Sequence, residues 1–124
     1  MQRHLLTLGA FAALAAGGAS AALAQSTLET VRERGHLNCQ VGLPTPGFYQ
    51  LADDGTWSGL DVDVCRGISA AIFDGDPDRV EYQSVTSAVR FTELANGASD
   101  VLSRTTTWTA TRDTQLGLDF TYIN

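Results

Sequence analysis

The sequence predicts an α/β fold with a mostly parallel sheet that is covered by helices on both faces. Three observations carry this prediction. Apolar residues alternate at 36–42 and again near 79–85, helical periodicity follows each of these strand-like segments, and turn-forming residues separate them. Strands that alternate with helices form β-α-β units, in which consecutive strands run parallel. The elements are too few for a complete doubly wound domain, so we expect part of one.

The first helix follows from a short local pattern. Ser26 and Glu29 have the spacing of a capping box, in which each residue satisfies a free backbone N–H of the other. This pattern predicts a helix that runs to Arg34 and ends at Gly35. The alternating strand at 36–42 follows directly.

A long loop and a second helix come next. Residues 43–58 are rich in Pro, Gly and Asp, which predicts a loop. From Asp61 onward the apolar residues recur at helical spacing, and Asp61 is placed to cap this helix with its charge at the positive end. The side that faces the core is predicted to carry four apolar residues, Val64, Ile68, Ala71 and Ile72.

The second half of the chain repeats the alternation. After the strand at 79–85, Thr86 or Ser87 is placed to cap a helix that Gly97 ends. Its apolar residues are Val89, Phe91, Leu94 and Ala95. Three short elements complete the prediction, a buried strand, a brief helix and the start of another strand, at 100–102, 109–115 and 118–120.

Residues 1–24 have the layout of a secretory signal peptide. Arg3 and His4 form a basic start, an apolar run covers 5–16, and small residues lead to an A-x-A cleavage site that ends at Ala24. A membrane-spanning helix is the alternative, but a span needs about 20 apolar residues, and glycine and serine dilute this stretch. We therefore expect cleavage after Ala24 and export of residues 25–124.

The composition argues against two classes of partner. The formal net charge is −6, and it becomes more negative once Arg3 is removed with the signal peptide. All the basic residues other than the two histidines are arginines. An acidic surface without a basic stripe argues against binding to nucleic acid or to anionic membranes.

The two cysteines, Cys39 and Cys65, both lie in the exported part. Cys39 is on the apolar face of the first strand, and Cys65 shares a helix face with Ile68 and Ile72, so both can point into one core. An even number of cysteines in an oxidising compartment favours a disulfide. Two buried free thiols that pack as small apolar residues are the alternative. We expect the disulfide.

Two stretches carry a resemblance to a known family. They are WSGLDVDVCR at 57–66 and DVLSRTTTWTATRD at 100–113, which continues into GLDF at 117–120. The first resembles the signature of the family 3 extracellular solute-binding proteins. The second resembles their polar amino-acid branch, with its broad-specificity L-amino-acid-binding members. Ser69 departs mildly from the first signature, in which a small apolar residue or cysteine is usual at that position.

The resemblance implies a periplasmic protein of two α/β lobes that close around a ligand, the binding component of an ABC importer. Residues 25–124 match the N-terminal portion of lobe I, a partial type II periplasmic-binding lobe, and the second lobe is not in the sequence. The implied partners are a free L-amino acid and a membrane permease. We expect a monomer that holds no metal and no cofactor. Because lobe closure completes the hydrogen-bonding set, residues 25–124 alone are expected to bind weakly or not at all.

Four residues are candidates for the ligand site. Arg112 is the candidate for the α-carboxylate, because a guanidinium binds carboxylates bidentately and stays charged. The resemblance supports this, since the family's carboxylate-binding arginine follows a hydroxyl residue, here Thr107, by five positions. Thr105 matches a position that contacts the ligand ammonium, and Phe48 is a candidate for an aromatic wall. The alternatives are a surface ion pair of Arg112 with Asp113 or another acidic residue, and a core role for Phe48.

Two other functions stay open at this point. An enzyme on the same scaffold, such as a periplasmic dehydratase that acts on a carboxylated cyclohexadiene, would use the same arginine for its substrate. It would also need a positioned general acid, for which the sequence offers no candidate. The other is a non-functional remnant with an unfinished core and an open sheet edge.

Overall fold

The computed structural model describes residues 26–116 and Phe120. The helices in this range are α1 Thr27–Arg34, α2 Leu60–Ile72, α3 Arg90–Ala95 and α4 Ala110–Leu116. The strands are β1 Leu37–Val41, β2 Gln50–Leu51, β3 Trp57–Ser58, β4 Val80–Ser84 and β5 Val101–Leu102. The predicted signal peptide, and the predicted strand at 118–120 apart from Phe120, lie outside the described residues.

The main sheet is parallel and has the strand order β4-β1-β5. Cys39 in the central strand pairs with Tyr82 on one side and with Val101 on the other. Helix α2 packs on the face of β1 that carries Cys39. Gln40 points to the opposite face, where its amide donates a 3.2 Å hydrogen bond to the carbonyl of Arg90 at the start of α3. The predicted α/β class, with a parallel sheet and helices on both faces, is confirmed.

Helix α1 begins and ends as predicted. The hydroxyl of Ser26 accepts from the Glu29 N–H at 3.2 Å, and the Glu29 carboxylate accepts from the Ser26 N–H at 3.1 Å. Gly35 ends the helix at φ 85°, a left-handed conformation that glycine adopts without steric cost. Arg34, in the last turn, forms an ion pair with Asp100, which attaches α1 to the segment just before β5.

The core lies between β1 and α2. Its fully or almost fully buried members are Val31, Leu37, Cys39, Val41, Tyr49, Val62 and Cys65. Cys39 and Cys65 form a disulfide with a Cα–Cα distance of 6.3 Å, and neither residue is exposed to solvent. The predicted disulfide is therefore confirmed, and it joins the central strand to the helix that covers it.

The start of α2 differs from the prediction. Asp61 does not cap the helix. Gly59 occupies the cap position, where no side chain in the described part of the chain forms a hydrogen bond, and Asp61 is only 9% exposed in the first turn. The free N–H groups of Leu60 and Asp61 instead donate to the carbonyls of Gly47 and Phe48, both at 3.0 Å. Backbone carbonyls of the loop therefore satisfy the N–H groups that a capping side chain would otherwise satisfy.

The side of α2 that faces the core was predicted only in part. Ile68 and Ile72 pack against the core as predicted. Ala71 is exposed, however, and the most deeply buried positions are Asp61, Val62, Cys65 and Ser69. The disulfide at Cys65 explains this orientation, because it fixes which side of the helix meets the sheet. The hydroxyl of Ser69 donates to the carbonyl of Asp76 at 2.9 Å, so the departure from the family signature provides a hydrogen bond across the following turn.

Three further predictions need correction. Residues 43–58 are not entirely loop, because β2 and β3 form a short antiparallel hairpin within them. Neither Thr86 nor Ser87 caps α3, whose cap position is Val89 without a side-chain hydrogen bond. Ser87 instead binds arginines: its carbonyl accepts from Arg90 and its hydroxyl from Arg104. Strand β5, which was predicted to be buried, is half-buried.

Gly59 should tolerate no larger residue. Its φ is 124°, and an added Cβ would lie 2.5 Å from the carbonyl oxygen of Phe48. We expect Gly59→Ala to lower the free energy of unfolding by at least about 1–2 kcal/mol, from backbone strain and overlap together. Gly67→Ala is the matched control, because Gly67 lies inside α2 and no atom of the described part of the chain lies within 4 Å of an added Cβ. It should raise stability by about 0.5–1 kcal/mol. Urea unfolding that shows equal effects for the two variants would contradict this account.

Candidate functional site

A cavity of about 310 Å³ lies where the chain leaves the carboxyl ends of β1 and β5. In open α/β sheets, ligands bind in the crevice at this edge. The loop after β1 contributes Phe48, helix α2 contributes Asp61 and Ile68, and the segment after β5 contributes Arg104, Thr105 and Thr106. The cavity therefore combines an apolar wall with a carboxylate, a guanidinium and hydroxyl groups.

Two of the four predicted site residues, Phe48 and Thr105, line this cavity. Phe48 is 40% exposed, which argues against the alternative of a core aromatic. The Thr105 hydroxyl is 3.2 Å from the Tyr49 hydroxyl, so the two loops meet at this point. The Tyr49 ring packs so closely on Gly42 that a Cβ there would lie 2.6 Å from it. Tyr49 thus joins the loop after β1 to the segment after β5 that carries Thr105.

The other two predicted residues, Arg112 and Thr107, lie together. A guanidinium N–H of Arg112 donates to the Thr107 carbonyl at 2.5 Å. The contact uses the backbone carbonyl of Thr107 and not its hydroxyl. Among the described residues Arg112 forms no ion pair with a carboxylate, so the alternative of a surface pair with Asp113 finds no support. Neither residue is part of the wall of the 310 Å³ cavity.

Arg112 belongs to a cluster of three arginines that we call the arginine cluster: Arg90, Arg104 and Arg112. Burial lowers the pKa of Arg90, and the positive charges of Arg104 and Arg112 lower it further, so the three charges are close enough to interact. The guanidinium carbons of Arg90 and Arg112 lie 4.7 and 5.2 Å from the ring centroid of Phe91. No ion pair with a described carboxylate involves any of the three. This acidic protein therefore keeps a positive region that attracts anions.

Two charged residues that sequence reasoning missed, Asp61 and Arg104, face the cavity. Burial raises the pKa of Asp61, and the positive charge of Arg104 opposes the shift. The Asp61 Oδ2 and the Arg104 Nε are both buried, and neither has a hydrogen-bond partner among the described residues. Arg104 directly precedes Thr105 in the second family motif, which is a signal that could have selected it. Asp61 was interpreted from the sequence as a helix cap.

The comparisons with known proteins identify the family of this chain. Residues 39–124 match the bacterial extracellular solute-binding proteins, family 3. The chain belongs to this family. It is 41% identical over 123 residues to a putative amino-acid ABC transporter-binding protein, YhdW, of Escherichia coli K12. This match covers 99% of the present chain and 36% of YhdW. The chain is 45% identical over 120 residues to the general L-amino acid-binding periplasmic protein AapJ of Rhizobium johnstonii. That match covers 97% of this chain and 35% of AapJ.

A solved structure supports the same assignment. The periplasmic binding protein of an ABC transporter from Brucella ovis, with glutathione bound, superposes with a TM-score of 0.73 at 49% identity. The match covers 76% of this chain and 29% of that one. The family predicted from residues 57–66 and 100–113 is thus confirmed. The chain spans about a third of the length of the curated relatives that it matches. Within the described residues, no helix is both long and apolar enough to cross a membrane.

Proposed function

We propose that this protein is the periplasmic binding component of an amino-acid ABC importer, which captures free L-amino acids and delivers them to a membrane permease. The observation that carries the proposal is the arginine cluster, which lies next to a cavity at the carboxyl ends of the strands and has no carboxylate partner among the described residues. The relatives YhdW, a putative amino-acid ABC transporter-binding protein, and AapJ, a general L-amino acid-binding protein, favour an amino acid as the anion.

Arg112 is the residue that we assign to the ligand α-carboxylate. A guanidinium has five N–H donors in a planar fork, and the described hydrogen bond to the Thr107 carbonyl uses one of them. That bond and the Phe91 ring at 5.2 Å hold the group in place before the ligand arrives. A donor that is already oriented loses less entropy when the carboxylate binds.

The ligand then extends from Arg112 toward the cavity. Thr105 provides polar contact to the ammonium group, and Phe48 provides an apolar wall for the side chain or its stem. An anionic partner for the ammonium, and the remaining contacts, come from a second lobe that closes over the first. Because this chain spans about a third of its relatives, it provides only part of these contacts. Its own affinity is therefore low.

Thermal unfolding with a panel of ligands tests the proposed ligand class. We expect L-amino acids at about ten to a hundred times their dissociation constant to raise the melting temperature, since a ligand that binds only the folded state stabilises it. D-amino acids, which reverse the positions of ammonium and side chain, should have a smaller effect. Monosaccharides serve as the control and should have none. A protein that sugars stabilise and L-amino acids do not would refute the proposed function.

A further inference from the structure

We propose that Tyr49 is a positioning residue for ligand binding: its hydroxyl holds the Thr105 hydroxyl in the orientation in which Thr105 accepts a hydrogen bond from the ligand ammonium. The inference rests on the proposed function, because it assumes that an amino acid extends from Arg112 into the cavity. Tyr49 itself does not touch the ligand, since it is only 4% exposed and is not part of the cavity wall.

The first argument is that the segment carrying Thr105 is held by few contacts. Residues 103–109, between β5 and α4, have no regular secondary structure. The segment begins at the sheet, where the Ser103 N–H donates to the carbonyl of Gln40 at 3.0 Å. The Thr105 side chain is exposed, and within the described part of the chain its hydrogen bond is the one to Tyr49 at 3.2 Å. Without that bond the threonine hydroxyl is free to turn to another staggered rotamer.

The second argument is that Tyr49 is fixed before any ligand arrives. Its ring packs on Gly42, where an added Cβ would lie 2.6 Å from the tyrosine hydroxyl oxygen. Its backbone N–H donates to the carbonyl of Thr45 at 3.1 Å, and its own carbonyl accepts from the Thr45 N–H at 2.7 Å. The phenol oxygen is therefore a fixed point beside the cavity. A bond to such a point orients a ligand-binding side chain in advance and lowers the entropy that binding costs.

The chemistry of the ammonium group fixes the direction of this hydrogen bond in the complex. An ammonium has donors and no acceptor, so Thr105 has to accept from it. Either hydroxyl of the Tyr49–Thr105 pair can donate to the other. When Thr105 donates to Tyr49, its proton points away from the ligand and both of its lone pairs remain for the ammonium. The tyrosine oxygen thus prepares the threonine oxygen as an acceptor.

Tyr49→Phe tests the proposal, because it removes the hydroxyl and keeps the ring on Gly42. Dissociation constants of L-alanine and of propionate, which is alanine without its ammonium group, are measured by ligand-observed NMR on the wild type and on the variant. The variant should bind L-alanine about three- to tenfold more weakly, as expected for the loss of one neutral hydrogen bond. Propionate should bind both proteins equally, because it has no ammonium for Thr105. A structural change of the loop would weaken both ligands alike.

Tyr82→Phe is the matched control. It removes a phenol hydroxyl that donates to the Val62 carbonyl at 3.3 Å and is not part of the cavity wall, so the L-alanine dissociation constant should stay unchanged. Thr105→Val completes a double-mutant cycle at an exposed position. It should weaken L-alanine by itself, and adding Tyr49→Phe should weaken it no further, because the tyrosine acts through the threonine.

Three-bond couplings of Thr105 in the wild type give a readout that requires no variant to fold. They should report a single rotamer about χ1. In a wild type that binds L-alanine, couplings averaged over several rotamers refute this inference alone. So does an equal L-alanine affinity of wild type and Tyr49→Phe, or an equal loss for L-alanine and propionate. Wild-type protein that does not bind L-alanine refutes the proposed function, and the inference fails with it.

Discussion

Replacing Arg112 with alanine is expected to weaken the binding of L-alanine about 100-fold. The variant removes a bidentate contact of two charge-assisted hydrogen bonds, each worth about 1.5–3 kcal/mol. Water solvates the carboxylate in the variant and recovers part of this binding free energy, so the net loss corresponds to about 100-fold in the dissociation constant. Arg112→Lys should lower the affinity for L-alanine less than Arg112→Ala does, because lysine keeps the positive charge but lacks the planar guanidinium. Ligand-observed NMR titration of the purified variants measures both effects.

The ligand provides the second half of this test. L-alaninamide lacks the carboxylate, so it should bind the wild type poorly, and Arg112→Ala should weaken it no further. Such non-additivity would show that the arginine and the carboxylate interact. Arg79→Ala is the control, since Arg79 is 52% exposed and pairs with Asp76 at 2.9 Å. Equal losses for alanine and alaninamide in Arg112→Ala would show that the arginine acts on the fold and not on the carboxylate.

Reduction of the Cys39–Cys65 disulfide is expected to lower the free energy of unfolding by about 3–4 kcal/mol. The cross-link closes a loop with a sequence separation of 26, and it restricts the unfolded chain by about this amount in the chain-entropy treatment. A small domain has about 5–15 kcal/mol of stability in total, so the reduced protein should be close to unfolding at 37 °C. Urea titration of the oxidised and reduced protein measures the difference.

A variant with both cysteines replaced by alanine separates the cross-link from packing. Both sulfurs are fully buried, so this variant should be less stable than the reduced wild type by the cost of the lost sulfur contacts. The reducing agent should not change the stability of the variant. Oxidised and reduced wild type with the same urea midpoint would contradict the stabilising role of this bond.

Much of the fold was predictable because local signals and the final packing agree. The capping box at Ser26 and the stop at Gly35 involve only neighbouring residues, and the structure keeps both. The predicted disulfide required only that Cys39 and Cys65 each lie on an apolar face. The start of α2 was not predictable from local signals. Its free N–H groups bond to carbonyls of the loop at Gly47 and Phe48, and no sequence pattern marks a contact of backbone with backbone.

The candidate site was predicted only in part, for a similar reason. Arg112, Thr107 and Thr105 lie close together in one motif, so the family resemblance could select them together. The arginine cluster draws on residues 90, 104 and 112, which interact because α3 packs against β5 and Arg104 reaches back to the carbonyl of Val85. Asp61 was interpreted as a helix cap from its position, and only the structure shows that Gly59 occupies the cap position and that Asp61 is buried in the first turn.

The measurement that tests the central claim most directly is an NMR titration of the ¹⁵N-labelled protein with L-alanine. The account predicts saturable shifts of the amides of 103–107 and Arg112, with a dissociation constant on the order of millimolar because one lobe supplies part of the contacts. The amides around the second cavity, lined by Trp57, Arg66 and Tyr82, should stay unchanged. A folded protein without shifts, or with shifts only at that second cavity, would contradict the placement of the amino-acid site on this lobe.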